Sequence, residues 1–355
     1  MVWSVSWRSS RVDERFLPSR LSNILLIGAP PSGHLAGLFV FPAYGRLQPN
    51  LRVAVVDIGS GSLALSLATV GDEGSISLLG EWALDTGLAS FADDSRDRVL
   101  AGLKSFRHIL RMQNTDTRLR AFVTSVLPEG ADRDQFVKEA QTILDHPVDV
   151  LSPGEEAALS FLGSHDAHAT PAGHLVVTAE IDGAATHLAI GDHEKLLDVF
   201  TIGLGAATLT DRFAGDAPSA QAGLALSEHL HELLNVAPLA EVIAGRPFDL
   251  VVSGAVVGVL AAVNAGRPPA RGALHGTALD LESVFHWYQE ILHVAPADLP
   301  DALGVSAARA RTMLAGTGLV VFLMEKLGAS QAYVSDNARR HGALREILGF
   351  TRAFL

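Results

Sequence analysis

Residues 53–62 read Val53-Ala54-Val55-Val56-Asp57-Ile58-Gly59-Ser60-Gly61-Ser62, and the reading of this stretch decides the fold. An apolar, β-branched run is a buried strand, here ending in a carboxylate and a loop of small residues. Gly59 and Gly61 let backbone N–H groups converge on an anion, Ser60 and Ser62 add hydroxyl donors, and Asp57 can hold a divalent cation or a water beside it. An ordinary hairpin has the same pattern, so recurrence is what gives the stretch weight. The pattern returns as Leu175-Val176-Val177-Thr178-Ala179-Glu180-Ile181-Asp182-Gly183-Ala184-Ala185-Thr186-His187, followed by an alternating strand through Leu188 and Ile190. Two like strand–loop–strand units predict a duplicated α/β protein.

Composition agrees: 355 residues, of which 48% are hydrophobic, supply a large core with apolar runs too short to span a bilayer. The formal charge of −12 argues against sequence-independent binding to nucleic acid, which depends on Lys and Arg neutralising phosphates. A polyanionic ligand therefore needs a local basic patch, for which Arg96, Lys104, Arg107, Arg111, Arg118 and Arg120 are the candidates. The chain has no cysteine, which removes disulfides and thiolate metal sites and fits a reducing, cytoplasmic setting. Residues 1–50 do not resemble the rest and are expected to be an extension, poorly ordered or absent from the mature protein.

From Asp57 onward, Leu63–Leu67 and Ser75–Leu79 are expected to complete an antiparallel set with the first strand. A helix is predicted from Ser95 to Met112, with Val99, Leu103, Phe106 and Leu110 at helical spacing. Strands follow at Leu119–Val123 and Val148–Leu151, then a helix opening with Glu155 and Glu156. His165, Asp166, His168 and His174 lie in a Gly/Pro/Ala-rich stretch that reads as a flexible connection rather than a metal cluster, which sets domains at 51–168 and 169–355. In the second domain, helix Leu224–Leu234 carries His229 and His231 on its polar face. Strand Phe248–Val252 runs into Ser253, Gly254 and Ala255, and the C-terminal third is helical.

The two loops, together with Ser152–Ala157, resemble the exopolyphosphatase and guanosine-pentaphosphate phosphatase family, whose motif there is Ser-Gly-x-Glu-Glu-Ala. Tyr333–Gly342 is similar to that family's Val-Ser-x-Gly-Ala-Leu-Arg-Glu-Gly run, with Arg340 and Gly342 in register, and the resemblance extends from about Arg52 to Gly349. It implies two ribonuclease H-like domains of the actin-like ATPase and sugar-kinase fold, a cleft between them and a helical C-terminal part. It also implies Glu156 as catalytic base, and Mg²⁺ held by Asp57 and Glu180. Phosphate would be bound by Gly59, Ser60, Gly61, Ser62, Gly183, Ala184, Ala185, Thr186 and Gly254. The implied substrates are inorganic polyphosphate or a phosphorylated guanosine nucleotide, and the implied assembly is a homodimer; the charge and the short apolar runs add the expectation that it binds neither nucleic acid nor membrane.

Several positions depart from the family pattern. Pro128 and Thr208 stand where arginines are expected, and Ala255, Val256 and Val257 follow Gly254. Asp182 places a negative side chain where a glycine approached phosphate, and His187 replaces a carboxylate, which weakens a magnesium seat. Two readings stay open: a phosphohydrolase, and a regulatory protein that binds a phosphorylated ligand without turnover. The Tyr333–Gly342 run is read as a fold signature with little part in catalysis.

Overall fold

The computed structural model describes residues 51–71, 76–88, 93–113, 117–125, 127, 130–192, 195–214, 220–268, 274–295 and 297–348; residues 1–50 and Pro128 lie outside the described residues. The chain divides into two units, one running up to Ser152 and taken up again from Arg340, the other Pro153–Arg339.

In the first unit, β1 (Arg52–Ile58), β2 (Ser62–Val70) and β3 (Ile76–Asp85) form the expected antiparallel set. Helix α1 (Asp93–Arg111) then leads to β4 (Thr117–Val123), which pairs parallel with β1, and α2 (Ala131–Leu144) leads to β5 (Asp149–Val150). The sheet order is β3-β2-β1-β4-β5. Strand alternation sends Ala54, Val56 and Ile58 into a core with Val99, Leu103 and Phe106 of α1 and Phe136 and Ala140 of α2. Asp57 therefore faces away from these helices.

The second unit begins with α3 (Pro153–Ser164) and repeats the plan with β6 (Leu175–Ile181), β7 (Thr186–Gly191) and β8 (Leu196–Ile202). There follow α4 (Ala206–Leu209), a π-helical turn (Thr210–Ala214), α5 (Ala220–Leu233), α6 (Ala237–Ile243), β9 (Phe248–Ser253) and α7 (Ala255–Asn264). The remaining elements are β10 (Ala278–Asp280), α8 (Leu281–His293), α9 (Leu299–Leu303), α10 (Ala307–Arg311), α11 (Met313–Leu327), β11 (Gln331–Ser335) and α12 (Arg339–Ile347). The sheet order β10-β11-β9-β6-β7-β8 contains the first sheet's arrangement again: β6 pairs antiparallel with β7 and parallel with β9, as β1 does with β2 and β4. The duplicated α/β plan read from the two loops is thus the plan of the chain. Helix α11 is buried on all sides from Met313 to Met324 because its sequence is apolar all round.

Two boundaries differ from expectation. The division falls at Ser152/Pro153 and not at 168/169, because α3 packs on the β7–β8 side of the second sheet. The stretch 165–174 lies wholly within that unit, with His165 stacked on Phe161, and His168 stacked on Tyr333 and 3.9 Å from Asp249. The C-terminal segment from Arg340 belongs to the first unit, where Glu346 pairs with Arg120. His229 is buried against Phe213 rather than on a polar face, whereas His231 is exposed. Half of the candidate basic patch is answered by acids: Arg96 pairs with Asp93, Arg107 with Asp145, and Arg120 with Glu346.

Gly254 joins β9 to α7 at φ 117°, and a Cβ there would lie 2.3 Å from the carbonyl oxygen of Ile181. Both the backbone conformation and the close approach of β6 demand glycine. Gly254→Ala is expected to lower stability by about 2 kcal/mol or more, read from the urea midpoint.

Candidate active site

On β6, Ala179 and Ile181 point into the core, so Glu180 points the other way, and His187 stands directly opposite it across the β6–β7 ladder. Helix α3 covers that face: a Cβ on Gly191 would lie 2.5 Å from the Phe161 ring. Glu156, in the first turn of α3, is thereby set against the edge formed by Glu180, Asp182 and His187.

Glu156 is 1% exposed, His187 3% and Arg339 5%, so their charges must be met within the protein. Arg339 Nη1 donates to Glu156 Oε2 at 3.0 Å and lies 3.6 Å from Glu180 Oε2, while Nη2 reaches Asp182 Oδ2 at 3.4 Å. His187 Nε2 lies 3.3 Å from the same Glu156 oxygen. The Thr201 hydroxyl donates to the carbonyl of Pro153 at 3.2 Å, which leaves its oxygen to accept from His187 Nδ1, also at 3.2 Å. Nε2 is then left as an acceptor beside the Glu156 carboxylate, in a ring held by Thr201 and, through it, by the residue that opens α3.

Burial holds the His187 imidazole below the ordinary histidine range; Glu156 and Asp182 pull the other way, and Arg339 adds to the depression. The native state keeps this ring neutral where the unfolded chain would protonate it. Its contribution is present above the unfolded pKa of about 6.5 and is lost as pH falls toward the native value. Urea midpoints from pH 7.5 to 5.5 are expected to fall for the wild type and to fall less for His187→Gln.

The glycine loops are more committed to their own backbone than the sequence suggested. Gly59 N–H donates to Ser62 O at 2.9 Å, and Gly183 N–H donates to Asp182 Oδ1 at 2.7 Å. Ala206 and Ala207 N–H groups close onto Asp182 O and Gly183 O, fastening the Gly183–Ala184–Ala185 loop to the start of α4. The Thr186 hydroxyl donates to Leu204 O at 2.8 Å. In the first unit Ser60 is buried while Gly61 is exposed. There Asp57 Oδ2 has Arg340 Nη1 at 4.0 Å, and the same guanidinium lies 3.7 Å from Glu81, which accepts the Ser66 hydroxyl.

Arg339 is the residue that sequence reasoning missed. In the register that matches Arg340 and Gly342, it occupies the place of the motif's leucine, and a new arginine arising alongside a new acid at position 182 was the available signal. His187, read as a weakened metal ligand, is the partner of Glu156.

Among the described residues, Glu156, Asp182 and His187 bring one ligand atom each within 4.8 Å of one another. Magnesium takes oxygen donors in near-octahedral geometry at about 2.0–2.1 Å. Here one donor is an imidazole, and the Arg339 guanidinium already lies against the carboxylates. Unit charges at 4 Å repel by about 4 kcal/mol at an effective dielectric near 20, and roughly twice that acts on a divalent ion. The donor set does not fit Mg²⁺ with Arg339 in place.

The pattern of the Ppx/GppA phosphatase family matches residues 67–350, and the chain belongs to that family. A guanosine-5'-triphosphate,3'-diphosphate pyrophosphatase of Pseudoalteromonas atlantica is 26% identical over 312 residues, 85% of this chain and 59% of that protein. The chain thus spans well under two thirds of that relative. Exopolyphosphatase 1 of Mycobacterium leprae is 22% identical over 302 residues, 83% of this chain and 88% of that protein. An exopolyphosphatase from Cytophaga hutchinsonii superposes with a TM-score of 0.75 at 20% identity, covering 86% of this chain and 100% of that one. The Aquifex aeolicus family member gives a TM-score of 0.72 at 22% identity, again covering 86% and 100%. These structures share the actin-like, two-domain α/β fold. Among the described residues, no helix is long and apolar enough to cross a membrane.

Proposed function

We propose that the chain hydrolyses the terminal phosphate of inorganic polyphosphate or of guanosine pentaphosphate, with Glu156 as general base. The observation that supports this most is the buried Glu156 at the start of α3, 3.3 Å from the Nε2 of an oriented His187 that can take a proton from it. Water attacks the terminal phosphorus as Glu156 takes its proton and His187 Nε2 receives it in turn; the P–O bond to the shortened chain breaks, and its electron pair leaves on that chain. Mg²⁺ was implied by the family resemblance, but the second unit's donors do not fit it, and no step here runs through the ion. The names of the two curated relatives favour these substrates. A cytoplasmic homodimer that binds neither nucleic acid nor membrane completes the proposal; the absence of cysteine supports the compartment, the net charge of −12 argues against nucleic acid, and the family resemblance implies the dimer.

The test is phosphate release by the full chain from polyphosphate, guanosine pentaphosphate and ATP. Release from one of the first two above the ATP level is expected. No release, with thermal stabilisation by polyphosphate retained, would favour ligand binding without turnover; neither release nor stabilisation would remove both readings.

A further inference from the structure

We infer that Arg339 is the resident cation of the Glu156–Glu180–Asp182 cluster, standing where a divalent ion would otherwise balance it, and that the native cluster excludes metal. The inference goes beyond hydrolysis and is read from metal binding, so it stands or fails independently of turnover.

A guanidinium stays charged at any physiological pH and presents several donors in a fixed fork. Arg339 directs that fork at three carboxylates: Glu156 at 3.0 Å, Asp182 at 3.4 Å and Glu180 at 3.6 Å. Three acids gathered at a largely buried edge with one neutral imidazole need a cation nearby. The protein supplies it covalently, from the first residue of α12.

Sequence register points the same way. Asp182 stands at a glycine of the resembling loop and Arg339 at a leucine of the resembling C-terminal run. The two departures touch each other. An added acid alone would worsen the charge imbalance and an added arginine alone would strain a metal seat, whereas together they form a closed ion-pair set. The next residue repeats the arrangement in the first unit, where the Arg340 guanidinium lies beside Asp57 and Glu81. Both carboxylates expected to bind Mg²⁺, Asp57 and Glu180, thus have an arginine against them.

Removing the charge should convert the cluster into a metal site built from Glu156, Asp182 and His187. The experiment titrates Mn²⁺ into the full-length wild type, Arg339→Leu and Arg339→Gln, following the free-ion electron paramagnetic resonance signal and the melting temperature. Gln keeps hydrogen-bond donors without charge and serves if the leucine variant does not fold. Wild type is expected to show no binding that depends on Asp182. The neutral variants are expected to bind about one Mn²⁺ per chain, to melt higher with Mn²⁺, and to lose both effects when Asp182→Asn is added. Mn²⁺ binding by wild type that disappears in Asp182→Asn overturns the inference, as does a folded neutral variant that binds no Mn²⁺. If neither variant folds, the comparison of wild type with Asp182→Asn decides alone, Asp182-dependent binding overturning the inference and its absence supporting it.

Discussion

Arg339→Leu is expected to destabilise the protein by about 3–5 kcal/mol, because it leaves buried carboxylates without their cation. The residue is 5% exposed and meets Glu156, Asp182 and Glu180, so neither solvent nor salt can replace it cheaply. A loss of this size is a large share of a typical stability of 5–15 kcal/mol, yet leaves a folded population to measure. Adding Glu180→Gln to the leucine variant should return part of the loss, about 1 kcal/mol or more, since one of the orphaned charges is gone. Chemical denaturation of the four proteins completes the double-mutant cycle. A loss below about 1 kcal/mol for Arg339→Leu, or no coupling to Glu180, would mean that the ion-pair set does not hold this edge together.

Glu156→Gln is expected to lower kcat for phosphate release by about 10²–10⁴-fold, the range for a positioned general base. The amide keeps the shape of the side chain and can still meet Arg339 and His187, so the fold should survive. Substrate binding should change little, since Glu156 acts on the water and not on the phosphate, and the effect should appear in kcat with KM nearly constant. Equal rates in the two proteins would place the base elsewhere.

The fold was legible because a short continuous apolar, β-branched run reads as a buried strand and the β1 and β6 runs share one pattern. Each strand of that kind must put one set of side chains into a core, as Ala54, Val56 and Ile58 do in the first unit and Ala179 and Ile181 in the second. The placement of Glu156 was legible in the same sense, since a paired-glutamate helix start carries a recognisable local signature. Arg339 was not. Its meaning depends on residues more than 150 positions away, Glu156 and Asp182, and no local periodicity reports a contact of that range. The domain boundary was misplaced for a related reason: a Gly/Pro/Ala-rich stretch reads as a linker, whereas residues 165–174 pack within the second unit through ring stacking of His165 and His168. The internal bonds of the Gly59 and Gly183 N–H groups were not legible, because a glycine loop looks the same in sequence whether its N–H groups face a ligand or close the loop on itself.

The central claim is that Glu156 directs a water molecule onto a terminal phosphorus. Hydrolysis of polyphosphate in ¹⁸O-labelled water, with the released phosphate analysed by mass spectrometry for wild type and Glu156→Gln, tests it most directly. The account predicts one ¹⁸O in each phosphate released by wild type, at a rate at least about a hundredfold above that of the variant. Label appearing at the same rate in both proteins, or no release above the level without protein, would contradict it.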